Sequence, residues 1–241
     1  MPELADNLHF SEKVENLKPS GIRIFDNKVS EIPNIIKLTL GEPDLNTPEH
    51  VKKAAVKSIE ENDSHYAPQK GKKELLEAIS RFLDKTIHVK YDPKSEIVAT
   101  VGATEAINVA IFALFNPEDK ILVPTPVFSL YWPVANLAGV QYSLVNTASD
   151  DFKLTAEKLE EVVKNDSTIK GVILNYPTNP TGVEYSHEEI KQLAKIVEKY
   201  NLYVITDEIY SSLTYGVEHY SIATEIPERT LYISGLSKSH A

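Results

Sequence analysis

Residues 170–210 read KGVILNYPTNPTGVEYSHEEIKQLAKIVEKYNLYVITDEIY. Two short apolar runs, 170–174 and 203–206, flank a segment of helical periodicity at 186–200. Strand, helix and strand in that order make a unit of parallel sheet, because a parallel neighbour is reached only through a long crossover. The same alternation continues outward. On the N-terminal side the pattern predicts strands at 97–101, 120–123 and 141–145, with helices at 104–114, 130–138 and 155–164; on the C-terminal side it predicts a strand at 230–233. The fold class expected is therefore α/β, with a mostly parallel sheet covered by helices on both faces. No internal repeat, low-complexity tract or linker interrupts it.

The first 48 residues differ in character. They mix charges with Pro19, Gly21, Pro33 and Pro43, a pattern read as an arm and irregular crossing segment with one short helix at 11–16. Regular spacing begins at Pro48. A helix is predicted at 49–61 and another at 70–85, where Leu75, Ile79 and Leu83 recur at four-residue intervals and form one apolar face. The division expected is 1–48 as arm and part of a small domain, and 49–241 as the large domain.

Composition bounds the function. A net charge of -10 over 241 residues argues against a phosphate-backbone partner, so no nucleic acid is expected. The absence of cysteine excludes a disulfide framework and any thiolate metal site. The acidic start at Met1 lacks the basic and apolar regions of a signal peptide, and no segment approaches a membrane span, so a cytoplasmic protein without a membrane partner is expected. The histidines at 50, 65, 88, 187, 219 and 240 show no metal-ligand spacing and read as solvated or locally hydrogen-bonded surface; no metal is expected.

Three motifs end strands, where α/β enzymes expose reactive groups. They are Asn179-Pro180-Thr181-Gly182, Asp207-Glu208-Ile209-Tyr210, and the small-residue turn 234–241, SGLSKSHA, which holds Lys238. Each has a bland reading when taken singly. A lysine after a strand is ordinarily solvated surface, Asp207 can cap the next turn, and Asn-Pro with a glycine makes an ordinary turn. Gly102-Ala103-Thr104, between a predicted strand and helix, offers backbone amides and a positive helix end to an anion, while Thr104 can also serve as N-cap. The later glycines of a dinucleotide fingerprint are missing.

Together with Leu40-Gly41-Glu42-Pro43-Asp44, His65-Tyr66-Ala67-Pro68 leading to Gly71, the run to Ala106 and Pro124-Thr125-Pro126-Val127-Phe128, these motifs occur in one order. From about Pro19 to Ala241 the chain resembles the class I/II aminotransferases, pyridoxal 5'-phosphate (PLP) enzymes of fold type I. The resemblance implies an aspartate aminotransferase-like large domain with the small domain largely missing. It implies Lys238 as the catalytic lysine that holds PLP as a Schiff base, and Asp207 beside the pyridine nitrogen, with Glu208 supporting the local structure. Tyr210 and Asn179 are implied at the phenolic oxygen, and Gly102, Ala103, Thr104 and Ser237 near the phosphate. Ser237 is the loosest of these, because the family often has a hydroxyl where this chain has Gly235.

Phe128 stands where the family stacks a tyrosine or tryptophan on the ring, so stacking is implied without a hydroxyl; core packing is the alternative, and Tyr131 and Trp132 read as core. Tyr66 resembles a tyrosine that reaches the phosphate of the other subunit, which implies a homodimer with shared sites. Gly41 and Ile22, or Arg23, are implied at the substrate entrance. The activity implied is transfer of an amino group from an amino acid to a 2-oxo acid by a ping-pong route through pyridoxamine phosphate. Readings left open are a PLP-dependent C-S β-lyase and a non-catalytic PLP-fold sensing module. Family chains continue past the lysine to arginines that grip phosphate and substrate carboxylate, so a longer protein is expected.

Overall fold

Strand residues alternate between two apolar layers in the computed structural model, which describes residues 8–15, 17 and 21–240. Among these residues five strands, β1 (Lys120–Thr125), β2 (Gln141–Asn146), β3 (Ile169–Asn175), β4 (Tyr203–Asp207) and β5 (Thr230–Ile233), form one all-parallel sheet in the order β2-β1-β3-β4-β5. The helices in chain order are α1 (Glu12–Glu15), α2 (Gly21–Ser30), α3 (Glu49–Glu60), α4 (Lys73–Thr86), α5 (Gly102–Leu114), α6 (Tyr131–Ala138), α7 (Ala156–Asn165) and α8 (His187–Lys199).

Because successive strand side chains point to opposite faces, Leu122, Val172, Leu174 and Val204 meet Leu159 of α7 and Ile190, Leu193 and Val197 of α8. Ile121, Val123, Ile173 and Ile205 meet Ile107 and Ile111 of α5 and Tyr131 and Val134 of α6 on the other face. Each fully buried aliphatic side chain contributes about 1.5–3 kcal/mol of transfer free energy. At Gly171 on β3 an added Cβ would lie 2.6 Å from the Phe115 ring. That ring meets Tyr203 edge to face at 6.4 Å and 89°, so glycine is what lets an aromatic pair cross the strand.

Helix ends follow local chemistry. Ser186 and Glu189 form a reciprocal capping box at α8, Thr155 caps α7, and α6 stops at Gly139, whose φ is +78°.

Four sequence expectations are corrected. Residues 97–101 form no strand; Ala99 N–H donates to Lys70 O (2.8 Å), away from the sheet. Thr104 is not an N-cap, because α5 begins at Gly102 with Val101 as cap residue, whose N–H bonds the Glu105 carboxylate. In α4 Leu83 is buried with Ile79 packed in the same cluster, as the apolar spacing expects, but Leu75 is exposed and the buried positions also include Leu76 and Ser80, the latter accommodated by donating to Tyr91 O (2.6 Å). The segment read as irregular contains α2, whose Ile22, Phe25 and Val29 do have helical spacing and whose buried Asp26 accepts from Thr39. The expectations at Met1, Asn16, Pro19 and Ala241 lie outside the described residues.

The strand order reverses between β1 and β3, which places a crevice at the carboxyl ends of these strands.

Candidate active site

The carboxyl ends of β3 and β4, the loop after β1, the start of α5 and the turn after β5 open on one cleft of about 1140 Å³. Asn175 and Asp207 are partners in register at the ends of β3 and β4. Asn175 Nδ2 donates to Asp207 O (2.9 Å), and Asn175 Oδ1 accepts from Asn179 N–H (2.9 Å). One buried amide thus sets the turn of Asn179 against the strand end of Asp207. Gly182 closes that turn with φ +70° and donates to Thr178 O (2.7 Å).

Asp207 is 3 % exposed. Its Oδ2 accepts from Tyr131 Oη (2.8 Å) and its Oδ1 from Ile209 N–H (3.3 Å), so it also performs the capping role that its position allows. Burial pushes its carboxyl above the ordinary aspartate range; the bonds from Tyr131 and Ile209 oppose this, and the charge of Glu208 adds to it. A buried, hydrogen-bonded carboxylate facing a cleft is suited to holding a cationic ring nitrogen.

Beside it Asn179 Nδ2 donates to Tyr210 Oη (3.3 Å). Burial pushes the Tyr210 hydroxyl up and the bond from Asn179 opposes the shift. Lys238 Nζ donates to Gly41 O (2.8 Å) and lies 5.9 Å from the centre of the Tyr210 ring. Phe128, half-buried, lines the cleft and meets Tyr131 edge to face at 6.0 Å and 87°. Gly102, Ala103 and Thr104 line it at the start of α5. Gly102 has φ +79° and its N–H turns back to Thr100 O (2.9 Å), and Ala103 and Thr104 follow in the first turn of α5. Ser237, Gly41, Ile22 and Arg23 line the same cleft. Tyr66 does not; it is fully exposed.

Sequence reasoning missed the roles of four residues in or beside this site. Tyr131, read as core, is buried but also bonds Asp207, and Trp132, read likewise, is a half-buried lining residue. The available signal was that a buried tyrosine hydroxyl needs a partner. Asn175 was noticed only as context for the motif after it. His219, expected at the surface, is instead largely buried between Glu184 and Glu208. Among the described residues no group of three or more His, Cys, Asp or Glu could hold a metal, and no helix is long and apolar enough to cross a membrane.

An amine, a buried carboxylate, a hydroxyl paired with an amide, an aromatic wall and helix-start amides are the donor set that an aromatic aldehyde phosphate requires. The family model described as aminotransferase class I and II matches residues 33–241. The chain belongs to the class I and II aminotransferases. Members of this family generally depend on PLP, which the residues of the cleft fit.

This aminotransferase chain is 44% identical over 229 residues to a probable N-acetyl-LL-diaminopimelate aminotransferase of Bacillus subtilis (strain 168), covering 95% of this chain and 58% of that protein. It is 36% identical to a probable aspartate aminotransferase of Methanocaldococcus jannaschii, over 96% of this chain and 60% of the relative. The solved aspartate aminotransferase from Thermus thermophilus with maleate superposes with a TM-score of 0.92 at 31% identity, over 97% of this chain and 62% of that one. The aminotransferase chain therefore spans about three fifths of the length of these relatives.

Proposed function

We propose that the full-length protein carrying this chain is a PLP-dependent aminotransferase that moves an amino group from an amino acid to a 2-oxo acid by a ping-pong route. The observation that carries this reading is the convergence of Lys238, Asp207 and the Asn179–Tyr210 pair on one cleft. When bound, PLP supplies an aldehyde for the amine and a protonated ring that accepts the electron pair released at the substrate Cα. Asp207 keeps the ring nitrogen protonated, with Tyr131 holding its carboxylate in place. Asn179 and Tyr210 bind the phenolic oxygen, the amides of Ala103 and Thr104 with Ser237 take the phosphate, and Phe128 covers one ring face. Lys238 Nζ anchors the cofactor and then carries the proton to and from the substrate Cα. Gly41, Ile22 and Arg23 form the substrate side. The exposure of Tyr66 supports its serving the site of a second copy, in a homodimer with shared sites.

Removing the Tyr131 hydroxyl deletes a hydrogen bond to a buried carboxylate, a loss of about 1.5–3 kcal/mol. Tyr131→Phe is accordingly expected to weaken PLP binding by about 10- to 100-fold, with a larger loss at lower pH, where Asp207 is more readily protonated. Titration of the apoprotein with PLP at several pH values checks this.

The reading is tested by incubating the PLP-loaded protein with single amino acids and no acceptor. Aspartate and N-acetyl-LL-diaminopimelate are the first choices, after the substrates that the relatives' names give. One equivalent of the matching oxo acid per site should form, with loss of the visible aldehyde absorption, and 2-oxoglutarate should restore it. Release of pyruvate with ammonia, or of carbon dioxide, would instead make the protein a lyase or decarboxylase.

A further inference from the structure

Glu208 follows Asp207 directly, yet its side chain points away from the cleft, to the side of Thr206. It is 0% exposed. Its Oε1 accepts from Thr206 Oγ1 and Ser221 Oγ, both at 2.8 Å, and its Oε2 lies 2.6 Å from His219 Nε2. The other ring nitrogen of His219, Nδ1, lies 3.0 Å from Glu184 Oε2. Glu184 in turn accepts from Tyr185 N–H (2.9 Å) and Thr214 Oγ1 (3.4 Å).

A carboxylate oxygen accepts but does not donate, so both ring nitrogens must donate, and imidazole does so only when protonated. Burial opposes that charge, but the hydrogen bonds and charges of Glu184 and Glu208 outweigh it and raise the His219 pKa to about 9. Among the described residues, the other groups around this cluster are Tyr176, whose ring lies 5.3 Å from the imidazole, Tyr185, which senses the charge of Glu184, Tyr91 and Tyr232, which sense the charge of Glu208, and Asp207. None of them is a cation, so His219 supplies the positive charge for this buried acidic set.

The three members come from three segments. Glu184 lies just beyond the turn of Asn179, Glu208 sits between Asp207 and Tyr210, and His219 belongs to the stretch before β5. We propose that His219 is a positioning residue for the cofactor-binding edge of the cleft: its imidazolium ties the Asn179 loop to the strand end of Asp207 and Tyr210, and offsets the charge of Glu208 beside Asp207. The proposal rests on the cleft being a PLP site. Loss of the proton leaves Glu208 uncompensated and unties it from Glu184, which loosens the Asn179–Tyr210 contact. The His219 tie is fully present below the unfolded-state value of 6.5 and is lost as pH rises through about 9.

The test uses full-length apoprotein, PLP titration, thermal unfolding and nitrogen NMR of the histidine rings. In the wild type at about pH 8, both His219 nitrogens should carry protons, and PLP affinity should fall as pH passes about 9. His219→Leu should weaken PLP binding about tenfold or more, and adding Glu208→Gln should restore most of it by removing the unpaired charge. His219→Gln, which keeps one donor at the site, should fall between. A neutral ring at pH 8, or a His219 variant that melts earlier but binds PLP within about twofold of wild type, would overturn the proposal. Absence of PLP binding in the wild type with a protonated ring would overturn the cofactor reading, and this proposal with it.

Discussion

Replacing Lys238 with alanine should lower kcat/KM for amino-group transfer by about 10³-fold or more, because positioned proton transfer alone accounts for about 10²- to 10⁴-fold and the same amine anchors the cofactor. Stability should barely change. The Lys238 side chain is half-exposed and its hydrogen bond is to Gly41 O, a contact worth about 0.5–1.5 kcal/mol net. Initial rates with a donor and 2-oxoglutarate, beside a thermal melt, separate the two effects. A variant that melts normally and retains a tenth or more of wild-type kcat/KM would remove Lys238 from the chemistry.

At Asp207 the size of the loss depends on which property is removed. Asp207→Asn keeps the Oδ1 acceptor for Ile209 N–H and places an amide Nδ2 that can donate to Tyr131 Oη where Oδ2 accepted from it, but deletes the charge. It should lower kcat by about 10²-fold or more, as loss of a preorganised charge partner does, while stability changes by no more than about 1 kcal/mol. Asp207→Ala should be equally slow and additionally lose about 1–3 kcal/mol, because the buried Tyr131 hydroxyl is then left without a partner. Steady-state kinetics and urea unfolding of both variants check this. Equal activity of Asn and wild type would mean that geometry rather than charge is what Asp207 provides.

Much of the fold was legible because parallel strands buried on both faces leave short apolar runs between amphipathic helices. The stretch 170–210 shows β3, α8 and β4 in this way, and its turn-forming glycine and proline mark where the chain leaves the sheet. Residues 97–101 failed because apolar β-branched residues predict a strand only if a neighbour offers its backbone, and here Ala99 bonds Lys70. On α4 only Leu75 was misplaced, because it extended the stripe of Ile79 and Leu83, whereas the inner positions include Ser80, whose hydroxyl is satisfied by Tyr91 O.

The cleft-lining residues carried by ordered motifs, Tyr66 not being one of them, could be named from sequence. Tyr131, Asn175 and His219 could not, since their importance lies in contacts with Asp207, Asn179, Glu184 and Glu208 across the fold. A hydrogen bond between residues 76 positions apart has no local signature. The histidine was hidden for a further reason, because its two carboxylate partners lie on separate loops.

The most direct measurement is borohydride reduction of the full-length protein after addition of PLP, followed by peptide mapping, with Lys238→Ala alongside. The account predicts one visible band that bleaches on reduction and one reduced adduct of PLP per chain, carried by the peptide containing Lys238 and missing from the variant. Labelling of another lysine, or equal labelling of wild type and variant, would contradict it.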